Sequence, residues 1–275
     1  MSQVQPSDAR VAYDAMAPIY DEFNAGNNYE LWLGEVLLPE LEKYGLRRPG
    51  RALDLGCGTG RAFEPLLRRR WSVWGVDASE RMLEQAREKL PDAWGYIGEV
   101  ELRQHDARDL PTFERPSKLG GPHRVRFDLI IALNDVVNYL TEDGDLERVF
   151  SGMKANLWED GLVCFDATSL AVFHGSYTHS GGSSSLSDRG WQWLGLTDRA
   201  EPGGLFEAEL SGVDVEPHVH RLRHWPREQI EAAMGAAGLQ CLAALGQREE
   251  GRSLILEEPD ESVHERTIYI GGHRG

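Results

Sequence analysis

Cysteine is scarce in this 275-residue sequence. The three present, Cys57, Cys164 and Cys241, are odd in number and far apart, so they build neither a disulfide framework nor a CxxC metal clamp. That usage predicts a reducing, cytoplasmic setting. No uninterrupted apolar run approaches the ~18 residues that span a bilayer. The opening MSQVQPSDARVAYD lacks a basic start followed by an apolar stretch, so no signal peptide is read there. Positive charge is also in deficit: 29 Lys and Arg stand against 45 Asp and Glu, a net charge of −16. Such a surface repels phosphate backbones and anionic lipid heads, which argues against a general nucleic-acid or membrane binder. A small cationic or neutral molecule remains open as a partner.

What is present suits a globular protein. Hydrophobic residues make up 41% and charged residues 27%, enough for a sizeable core, and the length corresponds to about two domains or one with an insertion. Residues 7–44 read as helical, with Ser7 and Asp8 as caps and a break at 23–28 (FNAGNN). After the break Tyr29, Trp32, Leu33, Val36, Leu37 and Leu41 form an apolar stripe, which Arg48, Pro49 and Gly50 end. Apolar strands at 51–55, 72–76, 100–104, 127–133 and 162–167 then alternate with helices at 60–70, 80–90 and 142–157, and 111–125 reads as a loop. This alternation predicts an α/β fold whose parallel sheet is covered on both faces. Residues 174–190, rich in Ser, Gly and His, read as a mobile loop. Period-two segments at 190–197, 204–212 and 214–224 predict a small antiparallel sheet. Helix 226–237, with Pro226 at its start, and strands 239–246 and 263–271 close the chain.

The strongest signal is Leu53-Asp54-Leu55-Gly56-Cys57-Gly58-Thr59-Gly60, after a strand and before a helix. Alternate glycines let the backbone turn tightly and approach a ligand with no Cβ in the way. The next helix presents free N–H groups to the same space. Asp77, ending the second strand, is placed to take the hydroxyls of a ribose. A dinucleotide site would need G-x-G-x-x-G; the spacing here is G-x-G-x-G.

With Asp54 ahead of it, this stretch resembles motif I of the class I S-adenosylmethionine-dependent methyltransferases. The resemblance extends through VDAS (76–79), HDARDL (105–110) and FDLIIALNDVVNYL (127–140). It implies a Rossmann-like, seven-stranded, mostly parallel sheet with helices on both faces, and S-adenosyl-L-methionine as cofactor. By the resemblance Gly56, Gly58 and Gly60 pass beneath the methionine part, with Cys57 among them. Asp54 orients the loop and the amino group, unless it only caps the loop. Asp77, with Ala78 and Met82 following, holds the ribose, Asp106 and Ala107 border the adenine, and Leu133 and Asn134 lie beside the sulfonium.

Residues 13–21 (YDAMAPIYD) resemble the lid of small-molecule methyltransferases, including sugar-amine N,N-dimethyltransferases and glycine/sarcosine-type N-methyltransferases. This implies that Tyr13 and Tyr20 line the transfer cavity, although both also fit a helix stripe packed on the core. It further implies a helical lid over 1–48, a core over 49–170 and 225–275, and a cap over 171–224 that roofs the site or joins two copies as a homodimer. The glycine-type enzymes carry an Arg after the fifth strand; residues 165–169 (FDATS) have none, which counts against glycine as acceptor. Asn134 keeps a polar handle for substrate.

Other clusters are less specific. His218, His220 and His224 lack a Cys or carboxylate to complete a shell, and Arg221 and Arg223 oppose a cation, so no metal is expected. His174 and His179 are solvated loop residues or bases that reach a substrate proton. Trp191 and Trp193 share a strand face and either wall a cavity or fill the insert. Residues 134–137 (NDVV) lack the Asn/Asp-Pro-Pro-aromatic signature of base-modifying enzymes. A neutral amine needs no strong base, whereas a hydroxyl usually does. The expectation is therefore N-methylation of a small molecule, with Tyr13, Tyr20 and Asn134 around the acceptor and Asp135 as a weaker candidate. O-methylation with a histidine base and a non-catalytic cofactor sensor are the alternatives.

Overall fold

The computed structural model describes residues 8–47, 50–93, 99–117, 120–181, 183–186, 190–250 and 253–274, without the side chains of 91–93, 117, 120, 181 and 183–186. The expected cap Ser7 and the helix-ending Arg48 and Pro49 lie outside them. Asp8 does cap the first helix, accepting a bond from the Arg10 amide.

The strands are β1 (Arg51–Leu55), β2 (Ser72–Asp77), β3 (Val100–Gln104), β4 (Glu114–Ser117), β5 (Gly120–Arg124), β6 (Phe127–Ala132), β7 (Leu157–Thr168), β8 (Ser183–Leu186), β9 (Trp191–Gly195), β10 (Leu205–Gly212), β11 (Val215–Arg223), β12 (Leu239–Glu250), β13 (Ser253–Glu257) and β14 (Arg266–His273). Among the described residues the main sheet runs β13-β12-β14-β7-β6-β1-β2-β3. The pairs joining β3, β2, β1, β6 and β7 are parallel; β14, β12 and β13 add antiparallel pairs. The seven strands expected from sequence are all there. β13 is an added edge strand, five residues long, folded back on β12.

Alternation along each strand divides the core. Leu53, Leu55, Trp74, Val76, Ile130 and Phe165 belong to one apolar cluster. Their strand neighbours Ala52, Val73, Leu129, Ile131 and Cys164 belong to the other. Burial on both faces is why the central strands read as unbroken apolar runs. The chain goes from β1 outward to β2 and β3, then returns to place β6 on β1's other side. The crevice beyond the carboxyl ends of β1 and β6 is therefore a topological switch point, where open α/β sheets bind ligands.

Two stretches expected as loops carry structure. Within 111–125, β4 and β5 pair as a hairpin. Pro116 and Pro122 are tolerated there because a two-stranded ribbon leaves half its backbone groups unpaired. Within 174–190, helix Leu170–Tyr177 extends into the region, and β8 joins the four-stranded sheet β11-β10-β9-β8. Ser169 caps that helix by accepting from the Val172 amide, and Phe173 stacks on Phe206 at 4.4 Å. The cap and the buried anchor outweigh the polar composition that follows them. Among the described residues no helix is long and apolar enough to cross a membrane.

Candidate cofactor and acceptor site

The glycine turn is built as its sequence requires. Gly56 and Gly58 have φ of +71° and +53°, the left-handed region that side chains disfavour. The amides of Gly56 and Cys57 donate to the Val76 carbonyl at 2.7 and 3.0 Å. Asp77 then joins the two loops: one carboxylate oxygen accepts from the Gly58 amide and the other from the Ser79 amide, both at 2.8 Å. Burial pushes the Asp77 carboxyl up to about 6 while these amides pull it down. Asp77, rather than Asp54, is thus the acid that sets the shape of the turn.

The N-terminal helices are latched over this turn. Ser79 Oγ donates to Asp14 at 2.6 Å, and Thr59 Oγ1 donates to Asp21 at 2.5 Å, with Lys89 also on Asp21. Arg61 donates to the carbonyls of Asn24 and Asn27. The two aspartates of the YDxxAxxYD phrase are therefore docking groups, which the sequence reading did not single out.

Below the latch lies a cleft lined by Tyr13, Tyr20, Gly56, Gly58, Asp77, Ala78, Asp106, Ala107, Leu133 and Asn134. All were expected there. Cys57, Gly60 and Met82 were expected too and do not line it. The position of a Gly60 Cβ meets the Phe63 ring at 2.8 Å, so that glycine serves helix packing. Met82 is fully buried among Met16, Ile19 and Tyr20. Cys57 and Asp54 face a smaller adjoining cavity with Tyr20, Tyr29 and Arg61. Burial, aided by the charge of Asp77, pushes the Asp54 carboxyl up to about 8, so near neutral pH it holds a proton. A cation placed beside it would restore the carboxylate.

Asp106 is bonded by its neighbour Arg108, whose side chain reaches both carboxylate oxygens at 2.8 and 2.5 Å. Those bonds hold its carboxyl below the usual range. His105, Arg108 and Tyr139 line the cleft as well; the sequence reading assigned them no role.

A second cavity, of about 280 Å³, opens on the far side of Tyr13, Tyr20, Asn134 and Tyr139, and these four residues line both spaces. Its walls include Met16, Phe23, Tyr177, Trp193, Asp135 and His220. Trp193 therefore walls a cavity, while Trp191 packs on Phe23 with ring centroids 6.0 Å apart. His174 and His179 line neither space. Burial raises the hydroxyl pKa of Tyr13, Tyr20 and Tyr139, so all three phenols stay protonated.

The corner after β6 is strained. Asn134 and Asp135 both have φ of +69°, uncommon for residues with a Cβ. Asp166, fully buried, holds this corner by accepting from the amides of Asn134 at 2.6 Å and Asp135 at 3.3 Å. Arg266 pairs with Asp166 at 2.6 Å and lies over the Trp32 ring at 5.0 Å. Strand pairing brings Arg266 of β14 opposite Thr168, but it lines neither the cleft nor the second cavity. Its guanidinium is taken up by Asp166.

Residues 52–161 match a methyltransferase domain family. A protein of Geobacillus sp. (strain WCH70), provisionally named a methyltransferase, is 32% identical over 266 residues, covering 94% of this chain and 99% of its own. The dTDP-3-amino-3,6-dideoxy-alpha-D-glucopyranose N,N-dimethyltransferase of Streptomyces fradiae is 25% identical over 231 residues, 82% of this chain and 83% of its own. Among solved structures, an S-adenosylmethionine-dependent methyltransferase from Clostridium acetobutylicum ATCC 824 matches with a TM-score of 0.73 at 22% identity, covering 96% of this chain and 99% of its own. The glycine turn at the switch point, its acidic second strand and these relatives agree: the chain belongs to the class I S-adenosylmethionine-dependent methyltransferases.

Proposed function

We propose that the protein methylates the nitrogen of a small-molecule amine, acting by alignment rather than by a strong base. The observation that carries this reading is the junction of the two cavities at Tyr13, Tyr20, Asn134 and Tyr139. The cleft fits the cofactor. No Cβ obstructs the turn at Gly58, whose missing side chain would point at the Tyr20 ring 3.7 Å away, and the buried Asp54 suits an ammonium. In this reading Gly56, Gly58 and Asp54 hold the methionine end, Asp77 the ribose, and Asp106 with Ala107 the adenine. S-adenosylmethionine supplies a methyl group on a sulfonium that leaves as a neutral thioether.

The chain's own residues then align an acceptor. Asn134 Nδ2 lies 3.5 Å from the Tyr20 hydroxyl, and its Oδ1 lies 3.4 Å from Asn27 Nδ2, so its amide is braced from both sides. Helices over residues 8–47 act as a lid, and the sheet of 171–224 acts as a cap; together they exclude water. Holding nucleophile and methyl in line can supply ~7–11 kcal/mol of the barrier. The tyrosines and the histidine around the cavity are ill suited to ionising a hydroxyl. The phenols hold their protons, and burial keeps His220 neutral and pushed down to about 3. A free amine attacks with its own lone pair, and Asp135 on the same cavity can draw in an ammonium and take the proton that must leave before it attacks. The amine acceptor of the Streptomyces fradiae relative supports the same reading.

Incubation with methyl-labelled cofactor and paired acceptors, amino sugars beside their hydroxyl counterparts, tests it. Label should enter the amines at least ~10-fold faster. Faster labelling of the hydroxyl series would assign oxygen transfer, and cofactor binding with no label transferred would leave only a sensor.

A further inference from the structure

His218 and His220 stand two apart on β11 and so share a face. They are 5% and 1% exposed. Their Nε2 atoms are 3.0 Å apart. His218 Nδ1 lies 2.7 Å from the Glu216 carbonyl oxygen, and His220 Nδ1 lies 2.8 Å from the Tyr139 hydroxyl. Around the His220 ring stand Tyr13, Tyr139 and Trp193. The nearest charged groups are Asp135 on the same cavity and Glu209 and Glu216 beside His218.

These contacts fix every hydrogen in the chain. A carbonyl only accepts, so His218 carries its hydrogen on Nδ1 and, as a neutral ring, has a lone pair at Nε2. His220 must then donate from Nε2, which leaves its own lone pair at Nδ1. Tyr139 must therefore donate to His220. The Tyr13 and Tyr139 rings touch, with centroids 5.1 Å apart, and in any bond between their hydroxyls Tyr13 must be the donor because the Tyr139 hydrogen is already used. From Tyr139 through His220 and His218 the hydrogens run in one direction, toward the Glu216 carbonyl.

We propose that His218 and His220 are positioning residues that turn the Tyr139 hydroxyl, and through it that of Tyr13, so that oxygen lone pairs face the acceptor, which favours a nucleophile that donates a hydrogen bond, as an amine N–H does, over one that can only accept. A nitrogen whose hydrogen is held by a phenol oxygen has its own lone pair turned elsewhere, free for the methyl group. Neutral His220 directs a hydrogen without storing a proton, which separates this role from that of a general base. The selection rests on the amine reading above; the hydrogen directions do not.

Two-bond ¹H–¹⁵N spectra of the uniformly labelled full chain test the directions without any acceptor. His218 should appear as the Nδ1–H tautomer and His220 as the Nε2–H tautomer, and His220 should stay neutral between about pH 5 and 8. A His220 ring protonated on Nδ1, or charged near pH 6, overturns the proposal. In His218→Leu, His220 loses its Nε2 partner and should shift toward Nδ1–H. KM for 3-amino-3-deoxyglucose should then rise about tenfold or more with a smaller change in kcat. His218→Gln, whose amide oxygen can accept from His220, should restore both tautomer and KM. An unchanged KM despite a reversed tautomer overturns the selection. If the unaltered enzyme does not turn over the amine, the amine reading fails, while the tautomer spectra still decide for or against the histidine pair.

Discussion

Gly58→Val should leave a folded protein whose affinity for S-adenosylhomocysteine is at least ~100-fold weaker, or ~2.8 kcal/mol. At φ of +53° any L-residue is strained, and a β-branched one most of all. That strain acts on stability and should lower the melting temperature by a few degrees. The loss of affinity has a separate cause. A Cβ at this position would stand 3.7 Å from the Tyr20 ring and 3.8 Å from its hydroxyl, an ordinary contact, so Gly58→Ala should weaken binding much less. The two further methyl groups of valine have nowhere to go but the cleft between Tyr20 and Asp77. Titration calorimetry of the three proteins separates the effects, and unchanged affinity in the valine variant would remove the turn from the binding site.

Asp166→Ala should be among the most damaging single changes outside the cofactor cleft. The carboxylate is fully buried and takes bonds from two successive amides in left-handed conformation and from Arg266. Its removal takes from buried Arg266 its 2.6 Å partner and leaves only Asp135, at 3.6 Å, to face the guanidinium, so the cost should lie toward the lower end of the ~3–5 kcal/mol of a broken buried pair. It also frees the Asn134–Asp135 corner to relax, and a displacement of ~1 Å there would lower kcat/KM by about 100-fold. Adding Arg266→Met should recover part of the stability, because a buried charge that has lost its shorter ion pair is gone, but not the activity, because the corner is still unheld. Urea denaturation measures the first effect and steady-state kinetics the second. A stability change below ~1 kcal/mol would mean that Asp166 does not hold the corner.

What the sequence disclosed follows from what each feature demands locally. A turn that needs positive φ at Gly56 and Gly58 can use few residues other than glycine, so its position is written plainly. Central strands buried on both faces leave apolar runs, and these located β1, β2 and β6 to within a residue, while β7 begins at Leu157, five residues ahead of the run at 162–167. The pairing of Asp166 with Arg266 joins residues 100 apart in sequence through the β7–β14 register, and no local pattern encodes it. Tyr139 and His220 likewise meet across 81 residues. The histidines were visible as a cluster, but only His218 and His220 face each other, with Tyr139 beside them, while His224 pairs with Glu261. Asp14 and Asp21 stand in the same phrase as Tyr13 and Tyr20, but the groups they dock on, Ser79, Thr59 and Lys89, lie 38 to 68 residues away, so nothing local marks their role. Gly60 and Met82 belonged to the right segments but serve packing, and Cys57 faces the smaller cavity beside Asp54. Spacing along a loop assigns a residue to a neighbourhood, and only the turn geometry decides which way it faces.

A crystal structure grown with S-adenosylhomocysteine would place the nucleoside directly. The adenine should lie by Asp106 and Ala107, the ribose hydroxyls should meet Asp77, and the sulfur should face the junction of Tyr13, Tyr20 and Asn134. Adenosine bound at any other surface, or a sulfur turned away from that junction, would contradict the assignment of both cavities.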